Sequence, residues 1–532
     1  MSNSIKFLVV TIAVSVISAC STVKLERVRD FRLRENTTYT VKRSLDLRGQ
    51  SLRIPVGSKL VFKGGSIANG SIVFNSNVIK GEPRFINCNY DGKICIKEID
   101  DRDFTSSEDT KTLIFLVSNA ISNGAKCDLY RDYKICMQNV GSTGLINFSH
   151  IKSGAEITFH GNTIYNTSIF QSYITKPVIV LQDVCGITIK GCNFHDADAH
   201  NTHNFKESTG CTFIQCYGDC NEINLFDCRQ ENGDCFLRSG VWIHDVKNPG
   251  RTPSKGLTNS ILRVKSLNTG YGLALYGGDK LNITIDAESP HRGFYCAGVS
   301  NSTIRYKGYN PIETKCHILI KDAVFRKKDN TGKEVLDMKG CHDLAIEVSI
   351  DELLSGENVI MFQSYGSGRK ENADFRFRSG KCHHYNVDFT AAIKHYPNDG
   401  FYTICGVFPD SGALNDDDMY GCKVTGITIH DIKGIGGSAT KYMCNIGAFT
   451  ESDISIINCE VDDLNSKNGY NFQVAGNAAG NVLVKNGRVG YVLVRRKDNG
   501  NFNMVLDNTQ LLGGFNYIND RSLRQLVQIK KR

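Results

Sequence analysis

From about residue 145 to 510 the sequence keeps returning to one kind of segment, and that recurrence constrains the fold more than any other feature. The segments are short, mostly Gly-led and rich in alternating apolar residues: GCTFIQC, GDCFLRS, GYGLALYGG, RGFYCAGV, CHILIKDAV, DLAIEVSI, NVIMFQS, GFYTICGV, KYMCNIGAF, GYNFQVAG and GYVLVRR. Alternation with period two between Gly and Asn turns marks strands, and no helical period accompanies it. Gly272 to Gly293 is 21 residues, and Gly469 to Gly490 is also 21. A spacing in the low twenties with three short strands per turn suits a parallel β-helix, because each coil must return above its own start. The Leu-x-x-Leu-x-Leu pattern of leucine-rich repeats is absent. Connectors such as NLFDCRQENG and ITIDAESPHR fit coils better than the hairpins of a sandwich.

Residues 38 to 80 also read as consecutive short strands, which cannot bury an apolar face alone and should stack on the next module. Between 106 and 124 the pattern changes to a helix. Leu113, Leu116, Val117, Ala120 and Ile121 share one helical face, Ser106 with Asp109 forms a capping box, and Gly124 closes the end. The element Glu108-Asp109-Thr110, followed by a strand at Asp132-Tyr133, resembles the entry of pectate-lyase-like β-helix proteins. The second part of that match is loose. With the strand pattern, the resemblance covers nearly the whole mature chain. It implies an all-β, right-handed parallel β-helix with an N-terminal strand-rich cap and one capping helix. The expected divisions are 1–19 as a signal peptide, 20–105 as the strand-rich segment, 106–515 as the β-helix and 516–532 as a basic tail.

Lys6, the apolar run from Phe7 to Val16 and the sequence Ile17-Ser18-Ala19-Cys20 resemble a bacterial lipoprotein signal, in which Cys20 carries the lipid. An outer-membrane lipoprotein, on the periplasmic or the cell-surface face, is the expected location. Lipid at Cys20 would be the one membrane attachment. Twenty cysteines in an exported chain raise the question of disulfides. Most of them sit inside strand-like runs, where a thiol behaves as a small buried hydrophobe. The net charge of +8 is modest for this length and would attract an anionic polymer. No cluster of Lys and Arg interleaved with aromatics points to nucleic acid.

In the family that the chain resembles, substrates lie along one exposed parallel sheet. Strict alternation in the strands places Asp234, Phe236 and Arg238 outside, with Cys235 and Leu237 inside. It likewise places Tyr276, Tyr295, His317 and Lys321 outside, with His291 and Arg292 at the preceding turn. That set suits β-elimination on a uronic-acid polysaccharide. Arg292, Tyr295, His291, Lys321 and Asp234 are the candidate catalytic groups. Arg238, Tyr276, His317 and Trp242 are the candidates for substrate binding, although Trp242 reads equally well as core. Arg292 would neutralise the uronate carboxylate, and a Tyr, His or Lys would take the proton at C5. Hydrolysis remains an alternative, with carboxylates from Glu231, Asp234, Asp196 and Asp198. So does a glycan-binding adhesin on the same fold. No cofactor follows with certainty from the residues, and calcium is the candidate. The loop residues His195, Asp196, Asp198 and His200 could hold a transition metal, and Asp416-Asp417-Asp418 could hold calcium, but solvated turns explain both runs as well.

Overall fold

The computed structural model describes residues 22–25, 33–140, 143–168, 175–197, 210–240, 251–309, 314–364, 387–395, 401–409, 422–434, 440–446, 450–457, 460–461, 472–475, 479–495, 502–518 and 527–530. Over these residues the protein is all-β apart from the helix Asp109–Asn123 and one short 3-10 turn, Asp101–Asp103. Two compact units are present: residues 1–96 with 102–115, and residues 97–101 with 116–532. No helix among the described residues is long and apolar enough to cross a membrane.

The first unit is itself a set of parallel strands rather than hairpins. Thr38–Val41 pairs in parallel with Lys59–Phe62, which pairs in parallel with Ser66–Lys80, and that long strand pairs in parallel with Phe85–Cys95. Its interior is aromatic: the Phe85 ring packs edge-on against Phe62 at 5.1 Å and face-to-face with Phe104 at 5.1 Å. Just ahead of the helix the Glu108 amide donates to Ser106 Oγ at 3.1 Å, a turn before the first helical residue rather than the expected capping box with Asp109, and the apolar face of the helix is buried.

In the second unit, strands stack in parallel coil upon coil. Tyr271–Asp279 pairs with Arg292–Tyr309, which pairs with Cys316–Lys321, which pairs with Asn358–Ser364. The 21-residue interval is visible in the register, where Tyr271 lies opposite Arg292 and Leu273 opposite Phe294. A second column runs beside the first: Ile261–Leu267 pairs with Asn282–Glu288, and this with the second half of Arg292–Tyr309. Leu262, Ile283, Ile304 and Ile346 stack in register along it, all buried. Each such side chain contributes about 1.5–3 kcal/mol by burial. The cysteines whose side chains are described, Cys422 and Cys444 not among them, are free thiols, and those other than Cys95, Cys136 and Cys185 are buried. Burial pushes Cys192 well above the usual thiol range and Cys228 up to about 12, so both stay protonated and pack as small apolar groups.

The two columns meet at corners made by left-handed residues. Asn259, Lys280, Asn301 and Asp343 stand at the same corner of successive coils with φ of 49°, 56°, 47° and 53°. Their backbones continue the ladder: Asn259 N donates to Asp279 O at 3.1 Å and Lys280 N to Ser300 O at 3.2 Å. The Asn301 side-chain amide donates to Asp279 Oδ1 at 2.7 Å, joining one corner to the next. Asn and Asp tolerate this conformation where a β-branched residue does not.

One excursion breaks the parallel rule. Ala323–Lys328 and Glu334–Lys339 form an antiparallel hairpin paired only within itself among the described strands. Backbone strain at the corners gives a direct test. Asn301→Val should lower the unfolding free energy by about 1–3 kcal/mol, whereas Asn301→Gly should leave it nearly unchanged. Urea denaturation of the two variants beside the parent checks this, and equal losses in both would exclude corner strain as the cause.

Candidate functional site

Five successive strands of the ladder bring Arg238, Ala274, Tyr295, Leu319 and Met361 into one column on the sheet face opposite Leu273, Phe294 and Ile318. Around this column Cys235, Tyr271, Tyr276 and Tyr295 form a single apolar cluster. The Tyr276 and Tyr295 rings lie 4.7 Å apart, and Tyr271 meets Tyr295 edge-on at 5.9 Å. The face is not open. Ala323 and Phe325 from the hairpin pack into the cluster and roof it. Glycine provides their seat, because a Cβ at Gly298 would fall 2.6 Å from the Phe325 ring and one at Gly277 would fall 3.1 Å from it.

The roof corrects several expectations drawn from alternation. Tyr276 and Tyr295 lie on the outer side of the sheet, but Tyr295 is only 1% exposed and Tyr276 is buried too. Asp234 and Arg238 were expected at the surface. They form a buried ion pair instead, Arg238 Nη2 to Asp234 Oδ1 at 2.6 Å, with Thr212 Oγ1 donating to Asp234 Oδ2 at 2.7 Å. The guanidinium also lies over the Tyr271 ring at 5.1 Å. Cys235 packs with the tyrosines, and Phe236 turns to the interior, where its ring is 4.9 Å from Phe213. Inside and outside are therefore exchanged at these two positions. Lys321 and His291 are buried as well.

His317 departs furthest from expectation. It is fully buried, with Nδ1 3.0 Å from Tyr306 Oη and Nε2 3.2 Å from Glu357 Oε2. Glu357 also accepts from the backbone amides of Thr314 at 2.6 Å and Leu354 at 2.9 Å. Burial, then the Glu357 charge, pushes the Tyr306 hydroxyl well above its usual range. This Tyr–His–Glu chain pins the interior and offers nothing to a polymer outside.

Arg292 reaches the surface from the cluster. It is half-buried, its Nη1 donates to Tyr271 Oη at 3.1 Å, and its guanidinium stands 5.8 Å from that ring. Lys315 stands beside it at the surface. Partial burial, and then the Arg292 charge, lowers the Lys315 ammonium below the usual lysine range. Burial raises the Tyr271 hydroxyl, against the opposing pull of Arg292 and Arg238, so it stays protonated and neutral. Reasoning from sequence missed Tyr271 and Lys315. Tyr271 lies in the segment GYGLALYGG, where alternation marks Tyr276 and not Tyr271 as outward. Lys315 precedes its strand in a loop, where no periodic signal reaches.

A separate groove of ≈ 490 Å³ runs over the neighbouring column. Its floor is a charge ladder in which Arg229, Lys265, Asp286 and Lys307 lie opposite one another on successive coils. Glu288 and Tyr309 form the next row, and the Tyr309 ring is 46% exposed. No sequence motif marked this groove, because its charges come from coils far apart in the chain.

Of the remaining candidates, His195 and Asp196 are adjacent but turn apart. His195 Nδ1 stands 3.6 Å from Glu231 Oε2, while Asp196 is buried and accepts from Asn166 Nδ2 at 2.8 Å and from the Cys211 amide at 2.6 Å. Asp196 is thus an internal acceptor and not a free ligand. Among the described residues no three His, Cys, Asp or Glu side chains converge as a metal site. Cys20, Asp198, His200, Trp242 and Asp416 to Asp418 lie outside the described residues.

No protein-family model matches the sequence, and no curated protein is similar to it. Among solved structures, the chain is similar to the Yersinia enterocolitica family 28 exopolygalacturonase at 11% identity and a TM-score of 0.23, over 92% of this chain and 78% of that one. It is also similar to the PL6 family alginate lyase AlyGC at 9% identity and a TM-score of 0.21, over 96% of this chain and 93% of that one.

The buried chain through His317 yields a stability prediction. Glu357→Ala strands the imidazole and two amides, and breaking a buried pair of this kind should lower the unfolding free energy by about 3–5 kcal/mol. Glu357→Gln, which keeps an acceptor in place, should lose clearly less. Chemical denaturation distinguishes the two, and an undiminished Glu357→Ala variant would rule out the pinning role.

Proposed function

We propose that this chain is an exported, lipid-anchored protein that degrades an acidic polysaccharide by β-elimination. In this reading the stacked coils form a right-handed parallel β-helix of the pectate-lyase-like type, and Cys20 carries the lipid. The observation that carries the chemistry is the Arg292 guanidinium, held by the Tyr271 hydroxyl at 3.1 Å, beside a surface lysine whose pKa is lowered.

Each group has a role that follows from its chemistry. Arg292 grips the uronate carboxylate through its planar fork and neutralises it, which acidifies the proton at C5. Lys315, as the free amine, takes that proton. The C5 electron pair forms the C4–C5 double bond as the C4–O4 bond breaks, and the ammonium returns its proton to the leaving oxygen. Tyr271 is a positioning residue, which fixes the guanidinium without touching the polymer. Tyr295, beneath the hairpin, takes no part.

The groove over the neighbouring column supports a second reading. Its carboxylates Asp286, Glu288 and Asp351, with the exposed Tyr309, could hold or hydrolyse a glycan without any elimination.

A panel of uronic-acid and neutral polysaccharides separates these readings. Elimination gives an unsaturated end that absorbs in the ultraviolet, hydrolysis gives reducing ends without it, and retention without product indicates a binding protein. Arg292→Ala and Lys315→Met should each lower elimination by about a hundredfold or more. Because Lys315 must be neutral to act, the rate should rise with pH as its lowered pKa is passed, and Lys315→Met should lose that rise. Full activity in the double variant would exclude this site while leaving the reaction class open.

A further inference from the structure

We propose that Cys296 and Cys341 become joined by a disulfide when the chain folds in an oxidising compartment, and that this bond clamps the hairpin over the tyrosine cluster. The two Sγ atoms are 3.4 Å apart, both residues are fully buried, and 45 positions separate them in the chain. The contact is fixed from several sides. The Val299 amide donates to Cys341 Sγ at 3.4 Å, and the Cys341 thiol lies 3.7 Å from Lys321 O and 3.8 Å from Cys296 O. Closing to a bond of about 2.0 Å requires only a modest rotation of two side chains already in contact.

The position gives the bond its consequence. The hairpin leaves the stack just after Lys321 and returns just before Cys341. Its sheet is joined to no other described strand. What holds it to the stack is Ala323 and Phe325 packed in the cluster, the ring in its glycine seat, and one backbone bond from Arg326 N to Pro253 O at 2.7 Å. A covalent link from its returning end to Cys296, the neighbour of Tyr295, would tie the roof to the coil that it covers. Burial, and then the adjoining Cys341 thiol, pushes Cys296 well above the usual thiol range. The folded pair is therefore unreactive, and the bond must form before the hairpin closes.

The chemistry balances with an external disulfide as oxidant. One cysteine thiolate attacks oxidised glutathione, giving a mixed disulfide and one glutathione thiol. The second cysteine thiolate attacks the protein sulfur of that mixed disulfide and expels the other glutathione. Two electrons pass from the protein thiols to glutathione, together with their two protons.

The test uses the full chain refolded in a glutathione redox buffer, so it depends neither on export nor on elimination activity. The protein is alkylated under denaturing, non-reducing conditions, digested and mapped by mass spectrometry. The proposal expects the Cys296 and Cys341 peptides as one cross-linked species that separates on reduction. Full alkylation of both, or either joined to a different cysteine, overturns it. Trypsin cleavage at Lys327 and Lys328 then reads the clamp. The parent refolded with reductant should be cleaved about tenfold or more faster than the parent refolded oxidised, and Cys341→Ala should be cleaved at the fast rate after either refolding. Equal rates in the cross-linked and thiol forms of the parent overturn the clamping role.

Discussion

Every coil of the second unit depends on the backbone of its neighbours for its hydrogen bonds, and that dependence sets the remaining features. A strand in a parallel ladder has no partner within its own coil, so the chain must turn a full circuit and arrive in register. The turns have to be the same on every coil, or the columns drift. The repeated left-handed corners at Asn259, Lys280, Asn301 and Asp343 meet that requirement. Once the corners agree, residues at equal positions stack, and the interior fills with rows such as Leu262, Ile283, Ile304 and Ile346. The same rule lines up charges on the outside, and so a groove with an ordered ladder forms from residues that no local motif connects.

Much of this was legible in the sequence. The 21-residue interval from Gly272 to Gly293 is a spatial repeat, and the helix near 110 lies where its periodicity put it. Buried thiols were legible too, since cysteines within apolar runs have little else to do. The side chains near the candidate site were harder. Alternation correctly separates Tyr295 from Phe294, because successive residues of a strand point to opposite faces. It cannot say what lies on top of a face. Tyr276 and Tyr295 are buried by a hairpin that begins at Ala323, 28 residues beyond Tyr295, and nothing in the strand pattern announces where an inserted hairpin will fold.

The errors at Cys235 and Phe236 have a different origin. Cys235 packs among the outer tyrosines and Phe236 against Phe213, and a period-two reading carries no information about where the faces depart from strict alternation. His317 shows a third limit. A histidine at the start of a strand looks like a surface ligand until a carboxylate 40 residues later, Glu357, is found beside it in the interior. Arg292 is the predicted residue that keeps an outward reach. It does so because Tyr271, one coil below, supplies a hydroxyl at the level of its guanidinium.

The seating of Phe325 against Gly277 and Gly298 has a consequence for how the molecule opens. The ladder strands share their amides with the coils on either side, so exposing one of them to solvent requires neighbouring coils to separate. Apart from Arg326 N, which donates to Pro253 O, the hairpin amides bond across the hairpin, and it is anchored chiefly by one ring in a slot without Cβ atoms. Hydrogen exchange in this molecule should accordingly run on two scales: a slow one set by the stack, and a faster one set by the departure of a single aromatic side chain.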